Sequence, residues 1–227
     1  MLKKLCFLRQ PKTNFDLLEP LKLQRIDSPE GRKYQTPEGN FYPSVTTFLG
    51  QEGKEDIQAW RNAVGDKEAD RVSSRAANRG TILHANIEAY LQGEEVSFPI
   101  QNDLLNYTLF KSVRKEIENI DNIRLQESML YSDILKLAGT IDCCADYKMT
   151  PSVIDFKSST KLKDKWEIDN YFIQTAIYSL MIEERYQIKV QQLVILIATE
   201  FSKPTVYIDQ RKNWIKPLSV LLKKYNK

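Results

Sequence analysis

Two acids and a lysine stand out because their spacing could assemble hydrolytic chemistry. Asp155 and Lys157 lie two residues apart in an apolar run, so an extended chain presents both side chains on one face. Asp142 precedes Asp155 by thirteen residues (155 − 142), a separation that pairing of neighbouring strands can close. Two converging carboxylates are hard oxygen ligands for Mg²⁺ or Mn²⁺, and a nearby lysine can orient water and offset negative charge. The triplet therefore points to phosphodiester hydrolysis.

The same pattern also has a plain interpretation. A second D-x-K occurs at Asp146 and Lys148, again thirteen residues (146 − 133) after an aspartate, Asp133, so spacing alone does not discriminate. Context favours Asp155, because an unpaired acid inside its apolar run would be costly, whereas Asp146 is expected at a frayed strand end. An ordinary surface ion pair between Asp155 and Lys157 is the other alternative.

The N-terminal half is predicted to form turns followed by helices. Residues 28–31 and 36–39 each carry proline second and glycine last, which predicts two β-turns and short hairpins. Ser44 is a predicted helix N-cap. Helical periodicity predicts a helix over residues 55–91, broken near Gly65 or Gly80, and another over 101–119.

The period changes to that of strands at about residue 123. Strands are predicted over residues 123–131, 135–147, 152–157 and 193–198, with a hairpin around Ser132 and Asp133. A helix over 165–186 separates the third strand from the fourth, and a strand at 206–208 and a C-terminal helix follow. The chain is therefore predicted to be a helical half followed by a β-β-β-α-β unit, an α/β core.

Three motifs in the C-terminal half resemble the PD-(D/E)XK nucleases, in their RecB-like exonuclease branch. They are a G-x-x-D ending at Asp142, the D-x-K of Asp155 and Lys157, and a Q-x-x-x-Y formed by Gln174 and Tyr178. The match extends upstream. Gly80 and His84 resemble the family's G-x-x-x-H helix, Glu127 resembles a glutamate that many members carry before the G-x-x-D strand, and residues 41–49 are similar to a segment of related exonucleases.

The resemblance implies a restriction-endonuclease-like core with a mixed central sheet and an N-terminal helical insertion. One nuclease domain would span residues 1–227, with a turn-rich β segment (1–43), a helical arch-like region (44–120) and an α/β catalytic core (121–227). The implied ligands of Mg²⁺ or Mn²⁺ are His84, Asp142, Asp155 and the carbonyl of Phe156. The implied catalytic residues are Lys157, Glu127, Gln174 and Tyr178.

Two of these assignments have structural alternatives. His84 is the only histidine, and a lone helical histidine is more often structural than a ligand. Its helix argues for a ligand, because apolar residues such as Leu83 and Ile87 form one stripe while His84 falls on a small, polar face. Gln174 and Tyr178 share a helix face and could instead be a half-buried polar pair that satisfy each other.

Two basic clusters could bind a nucleic-acid backbone. The first recurs every four residues along a predicted helix at Arg71, Arg75 and Arg79, which makes a stripe ending near His84. Its alternative is a solvated face paired with neighbouring acids. The second comprises Lys161, Lys163 and Trp166, which could grip a phosphate and stack a base or simply form a loop. Neither cluster contains a motif that reads base sequence.

The amino-acid composition limits the classes of protein to which the chain can belong. The 227 residues are 42% hydrophobic and 28% charged, which excludes fibrous, membrane and disordered classes. The net charge of +3 is too small to indicate a nucleic-acid partner by itself. Three cysteines without metal-ligand spacing predict reduced thiols and no iron–sulfur cluster on four cysteines. A cytoplasmic phage or bacterial protein is expected, with the mitochondrial matrix as the alternative.

The function predicted from the resemblance is a metal-dependent DNA exonuclease. It would act on single-stranded ends and leave a 5′-phosphate and a 3′-hydroxyl. It would either act alone or be recruited by a separate replication or recombination protein, without a membrane partner. Two alternatives stay open. One is a structure-selective endonuclease with the same metal site, and the other is a catalytically inactive DNA-binding module of the same fold.

Overall fold

A computed structural model describes residues 4–9, 16–99, 103–159, 163, 168–200 and 203–225. The strands within them are β1 Lys4–Phe7, β2 Gln24–Ser28, β3 Gly31–Gln35, β4 Phe41–Pro43, β5 Val96–Pro99, β6 Ile120–Ser132, β7 Leu137–Tyr147, β8 Thr150–Ser159, β9 Gln192–Thr199 and β10 Thr205–Gln210. The helices are α1 Val45–Leu49, α2 Lys54–Val64, α3 Asp66–Leu91, α4 Leu104–Ile117, α5 Asp169–Tyr186 and α6 Lys212–Tyr225.

The central sheet has five described strands in the order β10-β9-β8-β7-β6. Strands β8 and β9 run parallel, and every other neighbouring pair is antiparallel. Antiparallel neighbours need only tight turns, whereas the parallel pair needs a crossover, which α5 supplies. The predicted α/β class with a mixed central sheet is therefore confirmed.

Helices cover both faces of this sheet. Alternate side chains of β9 point to opposite sides, so that Ile195 packs with α1, α5 and α6 while Val194 packs with α3 and α4. A strand buried on both faces reads as a continuous apolar run rather than an alternating one. The run Leu193–Ala198, in which every residue is buried, has this character, and it fixes β9 in the middle of three layers.

The N-terminal turn signals produce the predicted hairpins. Strands β2, β3 and β4 form a three-stranded antiparallel sheet. Ser44 caps α1 by accepting a hydrogen bond from the Thr47 backbone N–H at 2.9 Å. The predicted break in the long helix falls at Gly65, whose φ of 83° is readily adopted by glycine alone, and α3 continues without interruption through Gly80.

Helix α2 and the first half of α3 stand away from the packed body. All eleven residues of α2 are exposed or half-buried. In α3 the buried positions are Ala69 and then a set in its second half: Leu83, Ile87, Tyr90 and Leu91. The apolar stripe predicted around Leu83 is therefore the part of α3 that anchors it to the sheet.

Two expectations need correction. Asp146 is not at a frayed strand end. It is 8% exposed, and its carboxylate accepts hydrogen bonds from Arg124 at 2.8 Å and Asn122 at 2.7 Å. In addition, β1 pairs with β5 in a two-stranded sheet that the sequence patterns did not predict, because each strand has only four residues.

No helix among the described residues is long and apolar enough to cross a membrane.

Candidate active site

The two predicted acids meet where β7 and β8 part. The backbone ladder between these antiparallel strands ends at the pair Cys143 and Ile154, so Asp142 and Asp155 lie one residue beyond it on their strands. Beyond that pair, a side chain takes the place of a backbone acceptor. The Asp142 carboxylate accepts a hydrogen bond from the Phe156 N–H at 2.8 Å. This capping bond keeps the backbone donor satisfied while it frees space between the strands for a site.

Asp155 lies at the centre of a buried polar cluster. One of its oxygens, Oδ1, accepts hydrogen bonds from Lys157 Nζ at 2.6 Å and from Gln174 Nε2 at 2.9 Å. The other oxygen, Oδ2, is buried and has no hydrogen-bond partner among the described residues. Burial raises the pKa of Asp155 despite the opposing effect of the Lys157 ammonium, and Asp142 raises it further. An orphaned buried carboxylate oxygen is costly unless a cation or donor completes it.

His84 projects from α3 onto the same cluster. Its Nε2 lies 2.8 Å from the Phe156 carbonyl oxygen, and its Nδ1 lies 3.2 Å from Glu127 Oε1 and 3.7 Å from Asp142 Oδ1. Burial lowers the pKa of His84, but the carboxylates of Asp142 and Glu127 overcome that effect and raise it to about 9. These two carboxylates therefore favour the protonated, positively charged form of His84.

Glu127 reaches His84 from a distorted point of β6. Its φ of 42° is uncommon for a residue with a side chain, and such strain is held only where the surroundings over-determine it. The pairing of β6 with β7 stays in register on both sides of this residue, at Gln126 and at Ser128. The distortion is therefore local to the residue whose carboxylate faces the imidazole.

The donor set fits a divalent cation. His84, Glu127 and Asp142 each offer one ligand atom, and these atoms lie within 4.8 Å of one another. The Phe156 carbonyl lies beside His84. Asp155, also a predicted ligand, is not part of this group of three, but its Oδ2 is buried and has no hydrogen-bond partner among the described residues. Mixed oxygen and imidazole donors suit divalent metals.

The Q-x-x-x-Y pair lies on the face of α5 that meets the site. Gln174 is 8% exposed and bonds Asp155, while Tyr178 is 3% exposed. The Tyr178 hydroxyl sits over Gly139, where an added Cβ would lie only 2.5 Å from it. The glycine of the G-x-x-D motif is thus required by close approach of this tyrosine. The two polar side chains do not pair with each other among the contacts described.

The first basic cluster follows one side of α3 towards the sheet. Arg71, Arg75 and Arg79 line a groove of about 680 Å³ together with Glu200 and residues at the start of α4. Arg71 donates to Glu68 at 2.7 Å. Arg79 is only 15% exposed and bonds Ser158 at 3.1 Å and Glu200 at 3.3 Å, so in the free chain it ties α3 to the sheet.

The second basic cluster is described in part. Lys161 and Trp166 lie outside the described residues. Lys163 is half-buried, and its backbone carbonyl accepts a hydrogen bond from the Tyr207 hydroxyl.

Sequence reasoning missed one wall of the cleft. The cavity of about 290 Å³ that contains His84 and Lys157 is also lined by Arg25, Arg32 and Tyr34 of the β2–β3 hairpin. The hairpin itself was predicted, but no local pattern indicates which of its faces docks against β7. Only the tertiary contact between Tyr34 and Thr140, whose hydroxyls lie 3.2 Å apart, reveals it.

The fold and these contacts define a class. A mixed sheet whose G-x-x-D and D-x-K strands bring two acids and a lysine together, with a histidine helix on one side and a Q-x-x-x-Y helix on the other, is a PD-(D/E)XK-like arrangement. All eight predicted metal-ligand and catalytic positions gather at this cleft: His84, Glu127, Asp142, Asp155, Phe156, Lys157, Gln174 and Tyr178.

Comparison with known proteins agrees with this class. The human protein mitochondrial genome maintenance exonuclease 1 is 25% identical over 212 residues, covering 86% of this chain and 61% of that protein. The mouse protein of the same name is 26% identical over 133 residues, covering 55% of this chain and 39% of that protein. The chain therefore spans less than two thirds of the length of these relatives.

A solved structure from Eubacterium rectale, provisionally named an exonuclease, has a TM-score of 0.42 at 15% identity and covers 69% of each chain. A likeness of that size assigns neither fold nor function by itself. No protein-family profile matches the chain. The predicted resemblance to a nuclease family is confirmed by the similarity to the two mammalian exonucleases.

Proposed function

We propose that this chain is a metal-dependent deoxyribonuclease that digests single-stranded DNA from an end. The observation that carries the proposal is the convergence of Asp142, Asp155, Lys157 and His84 on one cleft, with an orphaned oxygen on Asp155. Similarity to the mammalian mitochondrial genome maintenance exonucleases supports the exonuclease assignment and a DNA substrate.

The cation is proposed to be held by His84, Asp142, Asp155 and the Phe156 carbonyl. When bound, a divalent cation offsets charge on the scissile phosphate and favours ionisation of a water. The chain's own residues prepare this site. Glu127 lies 3.2 Å from His84 Nδ1 and orients the ring, whose Nε2 faces the Phe156 carbonyl at 2.8 Å. The Gln174 amide donates to the Asp155 carboxylate at 2.9 Å and holds it in place.

Lys157 is proposed to orient the attacking water and to offset charge as it develops. Its ammonium is held between Asp155 Oδ1, at 2.6 Å, and the face of the Tyr171 ring, at 5.0 Å. Burial opposes the charged form, but Asp155 and Asp142 raise the pKa of Lys157 above its usual value. In hydrolysis, a water oxygen bonds to phosphorus, the bond from phosphorus to the 3′-oxygen breaks, and a proton passes to that oxygen, giving a 5′-phosphate and a 3′-hydroxyl.

The preference for a single-stranded end is proposed from the shape of α2 and α3. Their exposed segment stands away from the packed body, and its base carries the groove lined by Arg71, Arg75 and Arg79. A basic groove that tracks a backbone without reading bases suits single strands. The family resemblance implies a helical arch over residues 44–120, a range that includes α2 and α3.

The test compares linear single-stranded DNA, labelled at one end or the other, with circular single-stranded DNA. Each substrate is incubated with Mn²⁺, Mg²⁺ or EDTA. We expect wild type to shorten only linear DNA and only with metal. Lys157→Ala should lower the rate by roughly 10²- to 10³-fold, the range for removal of a preorganised donor that stabilises developing charge. Lys148→Ala, which alters the other D-x-K, is the matched control and should keep the wild-type rate.

Other outcomes select the alternatives. Cleavage of the circle would identify an endonuclease. DNA binding without cleavage under any metal would identify an inactive binding module of the same fold.

Metal binding has a separate readout in thermal unfolding. Mn²⁺ should raise the melting temperature of wild type, because a ligand at 100-fold its Kd stabilises by about 2.7 kcal/mol. Asp142→Asn should lose that increase. Asp146→Asn, on the same strand, should lower the starting melting temperature by breaking the Arg124 pair yet keep the increase. An equal metal response in wild type and Asp142→Asn would contradict the proposed ligand set.

A further inference from the structure

The β2–β3 hairpin contributes two arginines to the wall of the cleft that contains His84. Arg25 and Arg32 line the same cavity as Asp142 and Lys157. Their side chains are 44% and 36% exposed, so both guanidinium groups remain accessible to a ligand that enters from solvent. Neither arginine takes part in the reaction proposed above.

The charge arrangement leaves this wall positive. Arg25 Nε donates to Asp27 Oδ2 at 2.8 Å, and Arg32 Nε donates to Asp27 Oδ1 at 2.9 Å. Two guanidinium groups thus share one carboxylate, whose pKa they lower, and the trio carries one net positive charge. Each arginine has five N–H donors in a planar fork, so donors remain for a second anion.

The hairpin is held rigidly to the catalytic sheet. The Arg32 N–H donates to Thr47 Oγ1 at 3.1 Å, and the Arg32 carbonyl accepts from the Ser44 N–H at 2.8 Å. Ser44 in turn forms a bridge with Ala138 of β7. Gly31 allows this approach, because a Cβ there would lie 2.6 Å from the Thr47 side chain. Arg32 is therefore fixed relative to the strand that carries Asp142.

We infer that Arg25 and Arg32 form a phosphate-binding subsite for a nucleic-acid strand, next to the phosphate that is hydrolysed. The inference rests on the proposed function and extends it to a specific contact. Guanidinium forks bind phosphate through paired N–H bonds. Asp27 neutralises part of this positive charge, so it is expected to weaken binding of an anionic strand.

Direct binding measures the subsite without cleavage. The probe is a short fluorescein-labelled single-stranded oligodeoxynucleotide, titrated in EDTA and followed by anisotropy. We expect Arg25→Gln and Arg32→Gln each to raise Kd roughly tenfold, the scale of one charge-assisted hydrogen bond. Each of these two substitutions should also reduce the slope of log Kd against log salt concentration by about 0.7, the value for one phosphate contact on a single strand.

Two charge-matched controls separate a local contact from general electrostatics. Lys189→Gln removes a positive charge that is 74% exposed and lies outside the cleft, and it should leave Kd unchanged. Arg32→Lys keeps the charge but loses the fork, so it should recover only part of the affinity. The melting temperature of each variant shows whether the hairpin stays folded.

Asp27→Asn provides a test with the opposite sign. Removal of this carboxylate frees both arginines and raises the positive charge of the wall, so the oligonucleotide should bind more tightly than to wild type. Glu30→Gln, at the tip of the same hairpin and 83% exposed, changes the charge equally and should have no effect. Weaker or unchanged binding by Asp27→Asn would overturn the inference.

The outcomes also distinguish the subsite from the proposed activity. If wild type cleaves DNA with metal but the arginine variants bind as wild type does, the subsite is wrong and the nuclease proposal stands. If the arginine variants lose affinity while wild type never cleaves DNA, the subsite is supported and the nuclease proposal is wrong. The chain would then be a DNA-binding module. Failure of wild type to bind the oligonucleotide overturns the subsite.

Discussion

Single residues decide the chemistry of this cleft through contacts with neighbours that are both near and far in sequence. Asp155 is bonded by Lys157 two residues away and by Gln174 nineteen residues away. His84 contacts Phe156, seventy-two residues along the chain. The D-x-K at Asp146 has the same spacing but pairs with Arg124 instead, so identical local patterns acquire different roles from their neighbours.

Gly139→Ala gives a residue-scale prediction. The new Cβ would meet the Tyr178 hydroxyl at 2.5 Å, and overpacking of a buried site typically costs about 1–3 kcal/mol. We expect the free energy of unfolding, measured in urea, to fall by that amount. Adding Tyr178→Phe removes the hydroxyl and leaves ring contacts at 3.2 and 3.3 Å, so it should restore most of the loss.

The control for this pair is Gly53→Ala, since a Cβ at Gly53 would meet nothing within 4 Å and its φ is −103°. It should change stability little. If Gly139→Ala were as stable as wild type, close approach of Tyr178 would not explain the glycine of the G-x-x-D motif.

At the scale of elements, the C-terminal end of α5, the helix that carries Gln174 and Tyr178, is tied to the central sheet. Near its C-terminus, Arg185 forms an ion pair with Asp133 at 2.5 Å, in the turn between β6 and β7. The same carboxylate accepts the Tyr42 hydroxyl of β4 at 2.7 Å. One turn residue therefore joins the crossover helix, the central sheet and the N-terminal hairpins.

Asp133→Asn should show how this junction depends on pH. Hydrogen bonds from Arg185 and Tyr42 lower the pKa of Asp133, so its stabilising effect is complete above the unfolded-state value of about 3.9 and is lost as pH falls through the lower folded-state value. We expect the variant to be less stable than wild type at neutral pH by no more than about 1 kcal/mol, because exposed ion pairs are screened.

Urea denaturation at neutral and acidic pH measures the difference. The difference in free energy of unfolding between wild type and Asp133→Asn should shrink towards zero in acid. Asp56→Asn, which alters an exposed carboxylate of α2, should match wild type at both pH values. A difference that persisted in acid would assign the effect to packing rather than charge.

At the scale of the whole molecule, stability and proposed substrate capture are divided between two regions. The sheet and its two helical layers contain the buried core, while α2 contributes no buried side chain. Segments with few buried apolar contacts open at low free energy. The region proposed to admit a DNA strand can therefore move without unfolding the catalytic core.

Trp60→Ala and Leu83→Ala test this division. Trp60 on α2 is 38% exposed, and Leu83 on α3 is 2% exposed. We expect Trp60→Ala to change the free energy of unfolding by about 0.5 kcal/mol or less, and Leu83→Ala to lower it by about 2–5 kcal/mol. Calorimetry would measure both, and a large loss in Trp60→Ala would show that α2 belongs to the cooperative core.

The sequence by itself predicted most of the order of elements and named the residues that meet at the candidate site. Turn chemistry predicted the hairpins, the cap at Ser44 and a helix break that falls at Gly65. The change of period near residue 123 predicted the β-β-β-α-β unit. These features are local, because backbone preference and side-chain periodicity act over a few residues.

Only the tertiary structure decided which elements meet. It paired β1 with β5, placed Asp146 against Arg124 rather than at a frayed end, and brought Arg25 and Arg32 to the cleft. Each of these contacts joins segments that local propensity cannot relate. They are selected by burial and pairing of the complete chain, because a hairpin or ion pair gains its free energy only from the partner that folding supplies.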